Sequence, residues 1–405
     1  MTQHQRLLST ALLVATLGYF VDVYDLVLFI VLKNPSLKEL GVPNEQFIDT
    51  GAALLNTQMI GMLVGGVVWG LLGDKIGRTR VLFGSIAIYS LANILNGFIE
   101  SLPSYYVLRA LAGFGLAGEL GAGVTLVAEL LPQRLRGYGT TIIAAVGVTG
   151  AIVAGLTGEL LPWRLSYIAG GVLGLLLLVV RFSVAESGLF DAIRERNVLR
   201  GSLGMLLSSP KRVSRYLLCI ILGLPTWYVI GILMVNAVEI SHALGVEGAP
   251  KPGWCLIWCY LGVALGDIGA GLLSQYLQSR KRPMAIFLIL GLVTPCWFLT
   301  HKGVTVDMVY LNYLFMGFSV GYWILIVTAA AEQFGTNLRA TVATSVPNFI
   351  RASVVPMSWL FLTLRSSLDI VSAAMYVGII TSALAAVSLI FIKETFSNDL
   401  DFIES

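Results

Sequence analysis

"GLLGDKIGRTRVL" occupies residues 70–82, in a short turn between two apolar runs. Gly73 and Gly77 permit tight backbone geometry there. Asp74 suits a place facing a neighbouring helix N-terminus, while Lys75, Arg78 and Arg80 suit an anchor at a membrane surface. Any short loop can carry several cations, so the informative part is the order Gly, Asp, Gly, Arg. A weaker copy, "GLLSQYLQSRK", starts at Gly271, with Gln275 in place of the acid and Gln278 in place of the second glycine. The same ionic latch is therefore not expected in the copy.

The surroundings put this turn in a membrane. Of 405 residues, 57% are hydrophobic and 12% charged, where a soluble chain carries about 25% charged residues. About 20 apolar residues cross the hydrocarbon core. On that scale the sequence predicts twelve spans, at 7–32, 49–73, 81–99, 103–131, 138–161, 164–183, 213–240, 253–277, 283–300, 304–332, 339–364 and 367–392. The first run is too long for a signal-peptide core and no small-residue cleavage site follows it, so it reads as a retained span. With a cytoplasmic N-terminus, 17 Lys and Arg fall inside, 6 outside and 3 within spans, as the positive-inside rule requires. The expectation is a multi-pass protein of a bacterial inner membrane with both termini cytoplasmic and no nucleic-acid partner. Cys219, Cys255, Cys259 and Cys296 all lie in apolar segments without a nearby histidine, so no disulfide, metal or cofactor is expected. No Walker-type loop appears, which leaves ion gradients as the energy source.

The polar stretch 184–212, with Arg194, Arg196, Arg200, Lys211 and Arg212, reads as a cytoplasmic linker. It would join an N-terminal six-helix bundle, 1–183, to a C-terminal one, 213–393, followed by a cytoplasmic tail, 394–405. Internal repetition agrees with that division. "AELLPQRLRG" at 128–137 aligns without gaps to "AEQFGTNLRA" at 331–340, setting Glu129 on Glu332 and Arg136 on Arg339.

Span count, duplication, central linker and the 70–82 turn together resemble the major facilitator superfamily over the whole chain. The resemblance implies an all-α membrane fold of two pseudo-symmetric six-helix bundles, working as a monomer by alternating access, and a transporter rather than an enzyme. It also implies a conformational latch made by Gly73, Asp74, Gly77, Arg78, Glu129 and Arg136, with Asp74 against the start of span eleven near Ala340.

Within the superfamily, "RALAGFGLAGELGAG" at 109–123 and "VDVYDL" at 21–26 are similar to the proton-coupled metabolite and organic-anion symporters. That likeness implies coupling by an acid on span one and by Arg109 and Glu119 on span four. The glycine-rich "GVTGAIVAGLTG" of span five lacks the proline of the family's antiporters. On physical grounds, a charge at the centre of a span costs ~2.5–3.5 kcal/mol and must face protein or water. Asp22 and Asp25, three residues apart, share one such face. Asp25 and Arg109 both lie in the outer halves of their spans. We read Asp25 as pairing with Arg109 in one state and taking a proton in another, with Asp22 and Glu119 as relay or substrate groups. The competing reading is a fixed ion-pair network that orients helices.

In the second half, Arg351 suits a substrate carboxylate or phosphate, with a neutralising pair to Asp267 as the alternative. Gln58, Trp227, Tyr228, Asn236, Tyr322 and Trp323 would complete a cavity, and Pro225 in "GLPTW" marks a break in span seven. Packing or interfacial belting is the plainer account of these aromatics. The partners expected are a small polar metabolite, protons and the bilayer, with uptake by symport ahead of facilitated diffusion or export. A remote rival takes Tyr24-Asp25 and "ALGD" at 264–267 as the paired acids of an intramembrane aspartyl protease, although Ala264 stands where that motif has glycine.

Overall fold

The computed structural model describes residues 3–76, 78–118, 133–185 and 203–396, and helices fall in each of the twelve windows. The first half contains α1 (Gln3–Glu39), α2 (Phe47–Ile76), α3 (Arg78–Asn96), α4 (Leu102–Leu116), α5 (Gln133–Leu160) and α6 (Trp163–Ala185). The second half opens with α7 (Leu203–Leu207), α8 (Pro210–Leu222) and α9 (Leu224–Tyr228). A π-helical turn, Val229–Met234, and α10 (Ala237–Ala243) complete span seven. Then come α11 (Pro252–Leu277), α12 (Lys281–Thr300), α13 (Val306–Val320), α14 (Trp323–Glu332), α15 (Thr336–Ala352), α16 (Val354–Arg365) and α17 (Ile370–Phe391). The chain forms two compact units, Met1–Phe47 with Ala53–Leu199, and Ile48–Ala52 with Arg200–Ser405.

Among the described residues, six segments are long and apolar enough to cross a membrane. A seventh arises if Pro210–Leu222 and Leu224–Met234, bent by 41°, count as one span. Polarity is arranged inside out, as lipid exposure demands. Val179, Leu272, Phe391 and Ile390 are 65–71% exposed, whereas Asp22, Gln58, Asn96 and Arg109 show no exposed surface.

The helices meet where glycine removes the side chain. A Cβ on Gly61 would strike the Ala110 carbonyl, one on Gly65 the Phe114 carbonyl, and one on Gly113 the Gln58 carbonyl, so α2 and α4 cross backbone on backbone. The second half repeats the contact. Gly262 meets the Leu314 carbonyl, Gly266 the Phe318 carbonyl and Gly317 the Cys259 carbonyl, bringing α11 onto α13. Gly262 and Gly266 stand 201 residues after Gly61 and Gly65, the same offset as the two loop copies. The duplication read in the sequence is thus repeated in packing geometry. The span-five glycines serve packing too, since Gly147 lies on Tyr19, Gly150 on the Phe20 carbonyl and Gly158 on Val31 of α1.

Besides a short interruption of span eleven at Ser353, three details differ from the predicted spans. Helix α1 continues to Glu39 with Pro35 inside it, so Lys33, expected in an outer loop, is buried at 1% exposure. Span seven breaks at Gly223, ahead of Pro225, which occupies the first turn of α9 where its missing N–H costs nothing. A Cβ at Gly223 would come within 2.6 Å of Ile350. Span ten breaks at Gly321 and Tyr322, where Gly321 approaches Gly266 so closely that its Cβ would lie 2.6 Å from the Gly266 Cα.

Candidate functional site

In the first unit, α1 buries both carboxylates, Asp22 at 0% and Asp25 at 1% exposure. Beside them the Tyr24 hydroxyl lies 3.0 Å from Thr157 Oγ1 of α5 and donates to the Ser166 carbonyl of α6 at 3.1 Å. These bonds fix the rotation of α1, so the next residue, Asp25, also points into the bundle. Asp25 Oδ1 rests against Gly170, where a Cβ would come within 2.5 Å.

Arg109 of α4 is fully buried. Its Nη2 donates to Asn93 Oδ1 of α3 at 2.7 Å, and its guanidinium carbon sits 4.6 Å from the centre of the Tyr167 ring of α6. The Tyr167 hydroxyl is 2.7 Å from that of Tyr105, which in turn lies 3.2 Å from Ser36 Oγ. A buried guanidinium carries a desolvation penalty of several kcal/mol. A hydrogen bond from a charged group returns ~1.5–3 kcal/mol and a desolvated cation–π contact ~2 kcal/mol, which offset part of it, while Nε and Nη1 have no hydrogen-bond partner among the described residues. Tyr167, under Arg109, and Gly170, against Asp25, are one turn apart on α6. The predicted pair therefore shares one face of α6, with the Arg109 hydrogen bond directed to Asn93. Glu119 lies outside the described residues.

Sequence reasoning missed Asn93, Tyr105, Tyr167 and Ser36. Their signal was available as polar atoms within apolar spans, such as the two asparagines of "YSLANILN" at 89–96.

The predicted substrate residues divide by chemistry. Gln58 is fully buried, and neither amide atom has a hydrogen-bond partner among the described residues. Arg351 is also buried, at 2% exposure, and Trp323 is half-buried. By contrast, Tyr228 donates to the Ala374 carbonyl at 2.9 Å and Tyr322 to the Leu222 carbonyl at 3.1 Å. These two hydroxyls tie helices together, and Tyr322 satisfies a carbonyl left at the Gly223 break. Asn236 is buried at 3% and donates to the Ile232 carbonyl at 2.9 Å. Asp267 caps the second segment of span ten, its Oδ1 accepting from the Ile324 N–H at 3.1 Å.

Of the predicted latch, Gly77 and Glu129 lie outside the described residues. Gly73, Asp74, Arg78 and Arg136 fall on α2, α3 and α5, with their side chains outside the described set. The second-half copy is fully described. Gln278, aligned with Gly77, is left-handed at φ 47°, ψ 44°, the conformation glycine adopts most readily. Without an acid at 275 the copy makes a different ionic contact. Arg280 grips Glu332 through Nη2 at 2.8 Å and Nε at 3.2 Å, and Glu332 is the residue aligned with Glu129. Behind it, Glu394 accepts from Ser279 Oγ and from the N–H groups of Arg280, Lys281, Thr395 and Phe396. Burial pushes its carboxyl up, but these donors together hold it down to about 2.

The sequence pattern of the Major Facilitator Superfamily matches residues 15–358. The chain belongs to the major facilitator superfamily. Its fold superposes on that of the xylose transporter XylE from E. coli, in a partially occluded inward-open conformation, with a TM-score of 0.72 and 15% identity over 97% of this chain and 99% of the other. Among curated relatives, a putative metabolite transport protein of Haemophilus influenzae is 33% identical over 40% of this chain, a match that spans 39% of that relative. A probable 4-methylmuconolactone transporter of Cupriavidus pinatubonensis is 26% identical over 80% of this chain and 76% of its own length. The sialic acid transporter NanX of Escherichia coli is 26% identical over 71% of this chain and 69% of its own length. Superfamily membership makes the protein a multi-pass membrane transporter rather than an enzyme, and it sets aside the protease reading, whose second acid, Asp267, is a helix cap.

Proposed function

We propose that this transporter takes up a small polar organic anion or zwitterion in symport with protons, as a monomer in a bacterial inner membrane with both termini cytoplasmic. One observation carries the reading: Asp25 and Arg109, buried at 1% and 0% exposure, share a face of α6. Desolvation raises a carboxyl's proton affinity and a nearby cation lowers it, so a small displacement of Arg109 relative to Asp25 switches that affinity. Asp22 and Glu119 serve as neighbouring proton or substrate groups. As substrate groups, the first unit offers the unsatisfied buried amide of Gln58, and the second unit separately offers the Arg351 cation with Tyr228, Asn236, Tyr322 and Trp323. The relatives named for sialic acid and 4-methylmuconolactone support a small organic solute. The turn at 70–82, with Glu129 and Arg136, acts as an inner latch, a role supported by the Arg280–Glu332 pair of its copy.

Proteoliposomes with an imposed pH difference test this. Wild-type protein accumulates its solute when the outside is acidic. Asp25→Asn abolishes driven uptake and retains counterflow. Accumulation indifferent to the pH difference points to facilitated diffusion, and accumulation with the opposite sign points to export. Unaltered pH dependence in Asp22→Asn, Asp25→Asn and Glu119→Gln alike overturns proton coupling through these acids.

A further inference from the structure

The coupling scheme above assigns nothing to the groups that hold Arg109. Asn93 is buried at 1% exposure, and because Arg109 Nη2 donates to it, its Oδ1 is the atom turned to the cation. The Tyr167 ring under the guanidinium is itself fixed. Its hydroxyl meets Tyr105, Tyr105 meets Ser36 of α1, and Trp163 packs edge-on at 6.2 Å and 89°. Neither an amide nor a ring face can accept a proton from a solvent-derived relay, so this support keeps the same charge throughout any cycle.

We propose that Asn93 and the Tyr167 ring form a neutral docking station for the Arg109 guanidinium, giving that cation the same support whether or not Asp25 is charged. The purpose of the station rests on the coupling reading, but its geometry does not. A buried cation paired only to a carboxylate is stranded when the carboxylate takes a proton, and the fold resists the protonation. A neutral station removes that resistance. Among the described residues, the ionisable side chains seen against the site are Tyr24 and Asp25 on α1, Tyr105 on α4 and Tyr167 on α6, with Asp22 one turn from Asp25; α2 packs its neutral Gln58 on Gly113, one turn from Arg109. Asn93 and Tyr167 are positioning residues, acting through Arg109.

A double-mutant cycle on purified full-length protein tests the station without any transport. Asn93→Ala and Asp25→Asn are melted singly and together at neutral pH. The combination is expected to lower Tm by about 4 °C or more beyond the sum of the singles, since only it leaves Arg109 without either support. Additive shifts overturn the proposal. Should Asn93→Ala not fold, Tyr167→Leu replaces it in the cycle, and Tyr167→Phe, which keeps the ring but loses the hydroxyl contact with Tyr105, should lower Tm on its own and add to Asp25→Asn without excess. The second measurement is the pH profile of uptake in Asn93→Asp. A carboxylate in the station satisfies Arg109 and weakens its pull on Asp25, so the profile should move about one pH unit to the alkaline side. A profile that stays in place while its amplitude falls indicates a merely structural role and overturns the proposal. If wild-type uptake ignores the pH difference, the coupling reading fails, and the melting cycle alone decides the station.

Discussion

Removing the Glu394 carboxylate tests how the second unit is tied where the end of α17 meets the turn between α11 and α12. In Glu394→Gln the site loses an anion that accepts from one hydroxyl and four backbone N–H groups. The drop in its pKa from 4.5 to about 2 corresponds, at about 1.36 kcal/mol per pH unit, to a ceiling of about 3.4 kcal/mol. The carboxylate is partly exposed, and solvent screening reduces that to roughly 1.5–2 kcal/mol. For a unit of this size each kcal/mol moves Tm by about 2–4 °C, so the variant should melt about 3–8 °C lower at pH 7. Because the folded-state pKa is depressed, the stabilisation is fully present above about 4.5 and fades as pH falls towards about 2. Thermal scans by intrinsic fluorescence, run from pH 7 to pH 3, should therefore show the wild-type and variant curves converging on the acid side. A gap that stays constant, or no gap at pH 7, would refute the account of Glu394 as an ionised tie.

Gly317→Val forces a side chain into the Cys259 carbonyl, a backbone atom that cannot step aside; overpacking of this kind costs ~3 kcal/mol or more. It should lower Tm by at least 6 °C or abolish the monodisperse peak in size-exclusion chromatography, while Gly271→Val, with open space around it, changes neither. Tyr322→Phe leaves the Leu222 carbonyl without its donor, costing ~1–3 kcal/mol, read as a Tm loss with substrate affinity nearly intact. Asp267→Leu removes the cap at Ile324 and should destabilise by ~1–2 kcal/mol, with Asp267→Asn retaining most of the stability in the same melting assay.

The fold was legible because lipid imposes a length and a polarity on every span, and the loop copies fix the duplication. The placement of the breaks was less legible. Pro225 drew attention to span seven, yet the chain bends at Gly223, where the demand comes from Ile350, a residue 127 positions away. Span ten carries no proline at its break, which follows from the approach of Gly321 to Gly266 and the cap from Asp267. At the site, the acids and Arg109 stood out because charge in a span is costly. Asn93 and Tyr167 did not, since an amide and a phenol in a helix have many uses and only their contact with Arg109 selects one. The tyrosines predicted to line a cavity illustrate the reverse: their hydroxyls are occupied by distant carbonyls that no local pattern reveals.

Among the described residues, the second unit interrupts span seven at Gly223, span ten at Gly321 and span eleven at Ser353. Of these, the joint at Gly223 turns span seven through 41°. A segment that changes direction inside a span can pivot there while the helical hydrogen bonds on either side stay intact, so the interior of the second unit can be reshaped without unfolding its walls.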